Sequence, residues 1–204
     1  MPQFRGLDPE GESIIAQKDP TEAWVQALRL VLVLLVLLWV VQAVNTGLGM
    51  RLNLLGIYPR EVTSLGGILV WPLLHADFEH LIMNTAPLAI LGFFVALRGV
   101  RVFLLASLLI LVLAGLGVWL FGRPAFHIGA SGLVFGYFGF LVAIGIYEKS
   151  IPSLAIASFA VFYYGGLIYG VLPQDSFVSF EAHLFGLCAG VLAARVFALR
   201  RRRF

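Results

Sequence analysis

Charge is what this chain has least of. Asp, Glu, Lys and Arg make up 12% of its 204 residues, where a soluble domain carries about 25%. Hydrophobic residues make up 60%, and the mean hydropathy is +0.96. Those values exclude a water-soluble globule and identify an integral membrane protein. Cysteine is nearly absent. Cys188 stands alone in an apolar stretch, which excludes an internal disulfide, suggests no metal cluster and fits a small packing residue. The net charge of +3 is small, and the basic residues sit mostly beside apolar segments, a pattern of membrane topology rather than nucleic-acid binding. No internal repeat is visible. Nor is a cleavable signal peptide: residues 1–22 are polar, with Asp8, Glu10, Glu12, Asp19 and Glu22 set against Arg5 and Lys18. The apolar run that begins at Ala23 is too long for a signal core and reads as a retained first span. The expected organisation is a polar tail, 1–22, followed by a single membrane unit, 23–204.

A helix crosses the hydrocarbon with about 20 mostly apolar residues. Six stretches qualify: Trp24–Val44, Phe78–Leu97, Val102–Phe121, Ser131–Tyr147, Ile151–Leu172 and Ala182–Leu199. The long connection 45–77 is semi-apolar and punctuated by Gly and Pro. It reads as short helices lying at the membrane surface, not as a seventh span. With both termini in the cytoplasm, the inner side carries Arg5, Lys18, Arg98, Arg101, Lys149, Arg195 and Arg200 to Arg203, and the outer side only Arg51, Arg60 and Arg123. The bias of inner over outer cations sets that orientation, and Arg29 can snorkel from the first span.

This topology has a geometric consequence. The second, fourth and sixth spans all start at the outer face, so their first residues share one depth. Those starts carry His80 and Asn84, Ser131, and His183. Polar side chains are costly in a bilayer, and three distant segments deliver theirs to one layer. A serine hydroxyl needs a neighbouring base to become a nucleophile, and imidazole titrates near neutrality. On the sixth span His183, Gly186 and Gly190 fall within about 60° of one another. On the fourth, Gly132, Gly136 and Gly139 flank Ser131 and Phe135. Glycine faces let helices approach closely in lipid, so packing these stripes brings serine and histidine within reach. Phe135, one turn below Ser131, then lies against the imidazole.

His80 and Asn84, at i and i+4, share a face. With the Ser131 backbone N–H they form a donor set for an oxyanion, or else a buried polar pair that bridges helices. His75 closes the long connection and is expected to fix it by hydrogen bonding. His127, four residues before Ser131, is a competing base or a structural loop histidine. Neither Asp77 nor Glu79 can be placed behind His183, so the reading is a Ser–His dyad without a third carboxylate. Taken singly, small-residue patterns of this kind are common in membrane helices.

As a set, His80-x-x-x-Asn84, Gly129-Ala130-Ser131-Gly132 and Ala182-His183-x-x-Gly186-x-x-x-Gly190 resemble the rhomboid intramembrane serine proteases in their basic six-span form. The resemblance covers the chain after its polar tail, and the His75–His80 spacing also matches. It implies an all-α six-span bundle that cleaves single-span membrane proteins, with Ser131 as nucleophile and His183 as base. It further implies an oxyanion site of Asn84, His80 and the Ser131 N–H, Phe135 stacked on the histidine, and substrate entry past the fifth span and the loop 173–180. No metal or cofactor is implied, the partners are membrane-embedded substrates and the bilayer, and the expected setting is a bacterial plasma membrane. One departure stands out. Gly66 and Gly67 occupy positions where many members carry a Trp-Arg pair, which removes that anchor from the long loop. Two other functions remain open: an inactive rhomboid-like binder of membrane clients, and a small transporter or channel. The second is weakened because transporter sites favour the midplane.

Overall fold

The computed structural model describes residues 20–173 and 178–201. Most of the polar tail, the middle of the loop 173–180 and the last arginines lie outside the described residues. Within them the chain is helical: α1 (Pro20–Gly47), α2 (Gly67–Val70), α3 (Phe78–Ala96), α4 (Val100–Phe121), α5 (Ser131–Glu148), α6 (Ile151–Tyr164) and α7 (Phe180–Arg201). Six of these, with α6 extended to Val171, are long and apolar enough to cross a membrane. The six-span, all-α expectation holds, with ends shifted by a few residues. Exposed Val33, Val36, Phe121, Phe162 and Ile151 are unremarkable on a protein whose surroundings are hydrocarbon.

The polar punctuation explains where the spans start. Asp77, with extended backbone, caps α3 by accepting from the His80 N–H at 2.7 Å, which satisfies an otherwise orphaned donor. Ser150 caps α6, accepting from the Ser153 N–H. Ser179 Oγ accepts from the Ala182 N–H at 3.1 Å, so α7 begins at Phe180, before the first residue expected. Gly99 supplies a φ of 107° for the tight turn between α3 and α4, a conformation that favours glycine. The fifth span differs from expectation in kind. It is not one helix from Ile151 to Leu172. The α-helix stops at Tyr164 and continues as a seven-residue 3-10 helix, Gly165–Val171. Three glycines in that stretch lower its helix propensity.

α5 sits at the centre. Some 72% of its apolar window is buried, against 11% for the fifth span. Its closest neighbour is α7. A Cβ built on Gly186 would collide with the Gly132 carbonyl, and one on Gly190 with the Gly136 carbonyl. Matching four-residue steps show that the two helices run parallel in a fixed register, backbone against backbone. α3 packs on the other side of α5, with Gly92 against the Tyr137 ring. At the far end of the bundle Arg98 pairs with Glu148, whose other carboxylate oxygen accepts from Ser153 Oγ at 2.6 Å.

The long connection is made of short helices, as expected: 3-10 turns at Arg51–Leu55, Val62–Ser64 and Trp71–Leu73, with α2 between the last two. Its anchoring without a Trp-Arg pair is now visible. A Cβ on Gly67 would stand 2.6 Å from the Gly56 carbonyl oxygen, so the backbone of one loop segment rests directly on another. Gly56 in turn presses on Ile128 and the His127 carbonyl, where Ile57 and His127 form an antiparallel bridge. Arg60 Nη1 donates to the carbonyls of Leu120 and Gly122. Asn45 donates to Asn53 at 2.9 Å, and Asn53 to the His75 carbonyl at 3.2 Å. Backbone contact and amide bonds replace a charged anchor.

Candidate active site

The starts of α3, α5 and α7 meet at one end of the bundle, and the site is best followed from the segment that leads into α5. Gly129 has a φ of 117°, and a Cβ there would lie 2.7 Å from His80 Cε1. Glycine is thus required twice, by conformation and by the imidazole against it. The Gly129 N–H donates to the Trp71 carbonyl at 2.9 Å, and the Ala130 N–H donates to His75 Nε2 at 3.2 Å. These two bonds fix the turn that presents Ser131 as the first residue of α5. The next amides, Ser131 N–H and Gly132 N–H, have no acceptor among the described residues. They are the free donors that a helix start leaves.

The candidate site residues can now be placed. Ser131 is half-buried, and His183 is buried with 7% exposure. The His183 ring lies parallel to Phe135, with centroids 4.0 Å apart and planes 6° apart. Ser131 and Phe135, at i and i+4, share one face of α5, the face against which the His183 ring packs. In this resting arrangement Ser131 Oγ and His183 Nε2 make no hydrogen bond among the described residues. His183 Nδ1 is 2.9 Å from the Gly170 carbonyl oxygen.

Asn84 is buried and donates one of its two amide hydrogens to the His80 carbonyl at 2.8 Å, leaving the second. His80 is half-buried, with its ring 5.1 Å from that of His75 in an edge-on arrangement. His75 is fully buried. Burial first, and the neighbouring His80 second, lower its pKa to about 4. It is therefore neutral near pH 7, as accepting from the Ala130 N–H requires. The expected role of fixing the loop is accordingly extended to the turn that carries Ser131.

His127 is fully committed elsewhere. Its Nε2 donates to the Arg123 carbonyl at 3.0 Å, and its Nδ1 accepts from Ser179 Oγ at 2.6 Å. Burial holds its pKa below the ordinary value. Of the two readings open in the sequence, the structural one fits this geometry.

Sequence reasoning missed several contributors. Trp71 is buried beneath Gly132, where a Cβ would strike the indole, and its carbonyl holds Gly129. Arg123 Nε donates to Glu181 Oε1 at 2.7 Å and Arg123 Nη2 to the Val178 carbonyl at 2.9 Å, tying the α4–α5 connection to the start of α7. An apolar stretch interrupted by Glu181 was the available signal for that pair. The Gly170 carbonyl, being backbone, left none.

The arrangement puts Ser131 and Phe135 on one face of α5, with the buried His183 imidazole stacked on Phe135 and the N–H donors of the helix start alongside. Among the described residues no group of three His, Cys, Asp or Glu side chains is disposed to hold a metal ion.

Comparison with known proteins agrees with this architecture. The Rhomboid domain family matches residues 62–200. An uncharacterized protein of Mycobacterium tuberculosis is 38% identical over 189 residues, covering 88% of this chain and 79% of its own. An uncharacterized protein of Mycobacterium leprae is 33% identical over 206 residues, covering 94% of this chain and 82% of its own. A Bacillus subtilis protein named "Putative rhomboid protease YdcA" is 29% identical over 137 residues, 64% of this chain and 66% of that one. With six candidate spans and the family match across most of its length, the chain belongs to the rhomboid family of multi-pass membrane proteins.

Proposed function

We propose that the chain is an intramembrane serine endopeptidase that cleaves single-span membrane proteins in a water-accessible cavity near the outer leaflet. Ser131 is the nucleophile and His183 its base. The observation that carries this reading is the parallel stack of His183 on Phe135, because it turns the imidazole toward the helix face that bears Ser131. Ser131 Oγ attacks the scissile carbonyl carbon as His183 Nε2 takes the hydroxyl proton. The carbonyl oxygen becomes an oxyanion that accepts from the Ser131 N–H, the free Asn84 amide hydrogen and His80. Each such donor is worth about 10²–10³ in rate. His183 then protonates the leaving amine, the acyl-enzyme forms, and water activated by the same imidazole releases the second product.

Hydrolysis needs water, and the partial exposure of Ser131 and His80 supports access from the aqueous side. The cation bias supports cytoplasmic termini, with residues 1–22 as a cytoplasmic tail and 23–204 as the protease unit; the setting in this reading is a bacterial plasma membrane. Purified protein in liposomes should cleave a model single-span substrate, and Ser131→Ala should abolish cleavage. Cleavage by the alanine variant removes the serine mechanism. Substrate retained without any cleavage by the unaltered protein identifies a client binder instead.

A further inference from the structure

The dyad lacks a carboxylate behind its histidine, yet something must decide which imidazole nitrogen carries the proton. A neutral histidine works as base toward Ser131 only if Nε2 is free of hydrogen. His183 Nδ1 lies 2.9 Å from the Gly170 carbonyl oxygen. A carbonyl can only accept, so the contact requires hydrogen on Nδ1 and leaves the lone pair on Nε2.

Local structure makes that carbonyl available. The 3-10 helix Gly165–Val171 ends one residue beyond Gly170, and the last carbonyls of any helix lack intrahelical donors. Glycine at this position is also what allows the approach. A Cβ on residue 170 would stand 2.8 Å from Phe135 Cζ and 3.2 Å from His183 Nδ1. The Phe135 ring, the imidazole and the Gly170 backbone therefore enclose one another, with no room for a side chain.

We propose that the Gly170 backbone carbonyl is the positioning group of the site, standing where other serine hydrolases place a carboxylate. It holds the His183 tautomer and ring edge, and stabilises the imidazolium that forms on proton transfer. The inference rests on the protease reading for its consequence, not for its geometry. Its carrier is unusual, since 3-10 runs longer than three to four residues are uncommon and often mark hinges. Gly166 in the same run has open space around it. The aim of the base thus depends on the winding of the sparsely packed end of the fifth span. A displacement of that end disengages the base without moving α5 or α7.

Two measurements test the proposal. Replacing Val171 by its α-hydroxy acid turns the 170–171 amide into an ester, whose carbonyl is a weaker acceptor. Loss of part of one hydrogen bond predicts a fall in kcat of about 3- to 10-fold, with KM unchanged. The same exchange at Leu167, which alters the Gly166 carbonyl, should leave kcat within about twofold. The imidazole 15N spectrum, with His183 assigned by its loss in His183→Gln, should show the protonated type of nitrogen at Nδ1 and the unprotonated type at Nε2. A proton on Nε2, or an unchanged kcat in the 170–171 ester, overturns the positioning role while cleavage by the unaltered protein preserves the protease reading. Absence of cleavage by the unaltered protein overturns the protease reading, and the nitrogen spectrum then still decides the contact.

Discussion

Phe135 and His183 stack face to face, at 4.0 Å and with 6° between their planes, across the α5–α7 interface. Both are nearly buried, so the aromatic ring acts as a floor that fixes the imidazole plane. The Gly170 carbonyl fixes its edge. Together the two contacts restrict rotation of the imidazole.

Removing the floor should therefore cost rate. Such a stack is worth about 0.5–1.5 kcal/mol, which corresponds to roughly 2- to 12-fold in kcat. Phe135→Leu, chosen because it roughly keeps core volume, should show that loss in the folded fraction. Equal activity of the leucine variant and the unaltered protein would show that the stack has no part in aiming the base.

The α5–α7 register is set by backbone contact, so it should resist even one methyl group. Gly190→Ala places Cβ onto the Gly136 carbonyl, and neither helix backbone can yield locally. Overpacking of this kind costs about 1–3 kcal/mol, and moving the helices apart also separates His183 from Ser131. The variant should melt at lower temperature and lose activity more than stability alone explains. Gly66→Ala, in open space, should change neither. Thermal melts in detergent paired with cleavage assays check both, and a Gly190→Ala protein with native melting and activity would contradict the register.

His75 gives stability a pH dependence. Its folded pKa of about 4 lies below the unfolded value near 6.5, so the unfolded chain takes up a proton first as pH falls. Its full contribution is present above about pH 6.5 and is lost progressively toward pH 4, a change on the order of 3 kcal/mol. His127, also lowered by burial, adds in the same direction. His75→Gln keeps an acceptor for the Ala130 N–H but does not titrate. Its melting temperature should fall less steeply between pH 6.5 and 4 than that of the unaltered protein. Identical slopes would show that His75 is not held neutral by the fold.

Much of this was legible because membrane folding imposes few choices. Apolar runs of span length locate the six candidate membrane-crossing helices among the described residues, and counting crossings predicts one shared layer for His80, Asn84, Ser131 and His183. The glycine stripes worked for the same reason, since Gly132, Gly136, Gly186 and Gly190 repeat at the period of a helix face. What escaped was carried by atoms or pairings without a local signature. The Gly170 oxygen is common to every residue type. Arg123 and Glu181 pair across 58 positions of sequence. Gly67 reads as a missing anchor until its backbone is seen lying on Gly56. The break at Gly165 was foreshadowed by glycines in the fifth span, but hydropathy alone carried the reading straight through them.

The reactivity of a single hydroxyl is the most direct measure of the whole scheme. The protein in liposomes should be treated with a fluorophosphonate, digested, and mapped by mass spectrometry. The account predicts an adduct on Ser131, lost in Ser131→Ala and slowed by orders of magnitude in His183→Ala, since the two side chains work as one unit. A Ser131 that stays unmodified, or that reacts equally fast without His183, would contradict it.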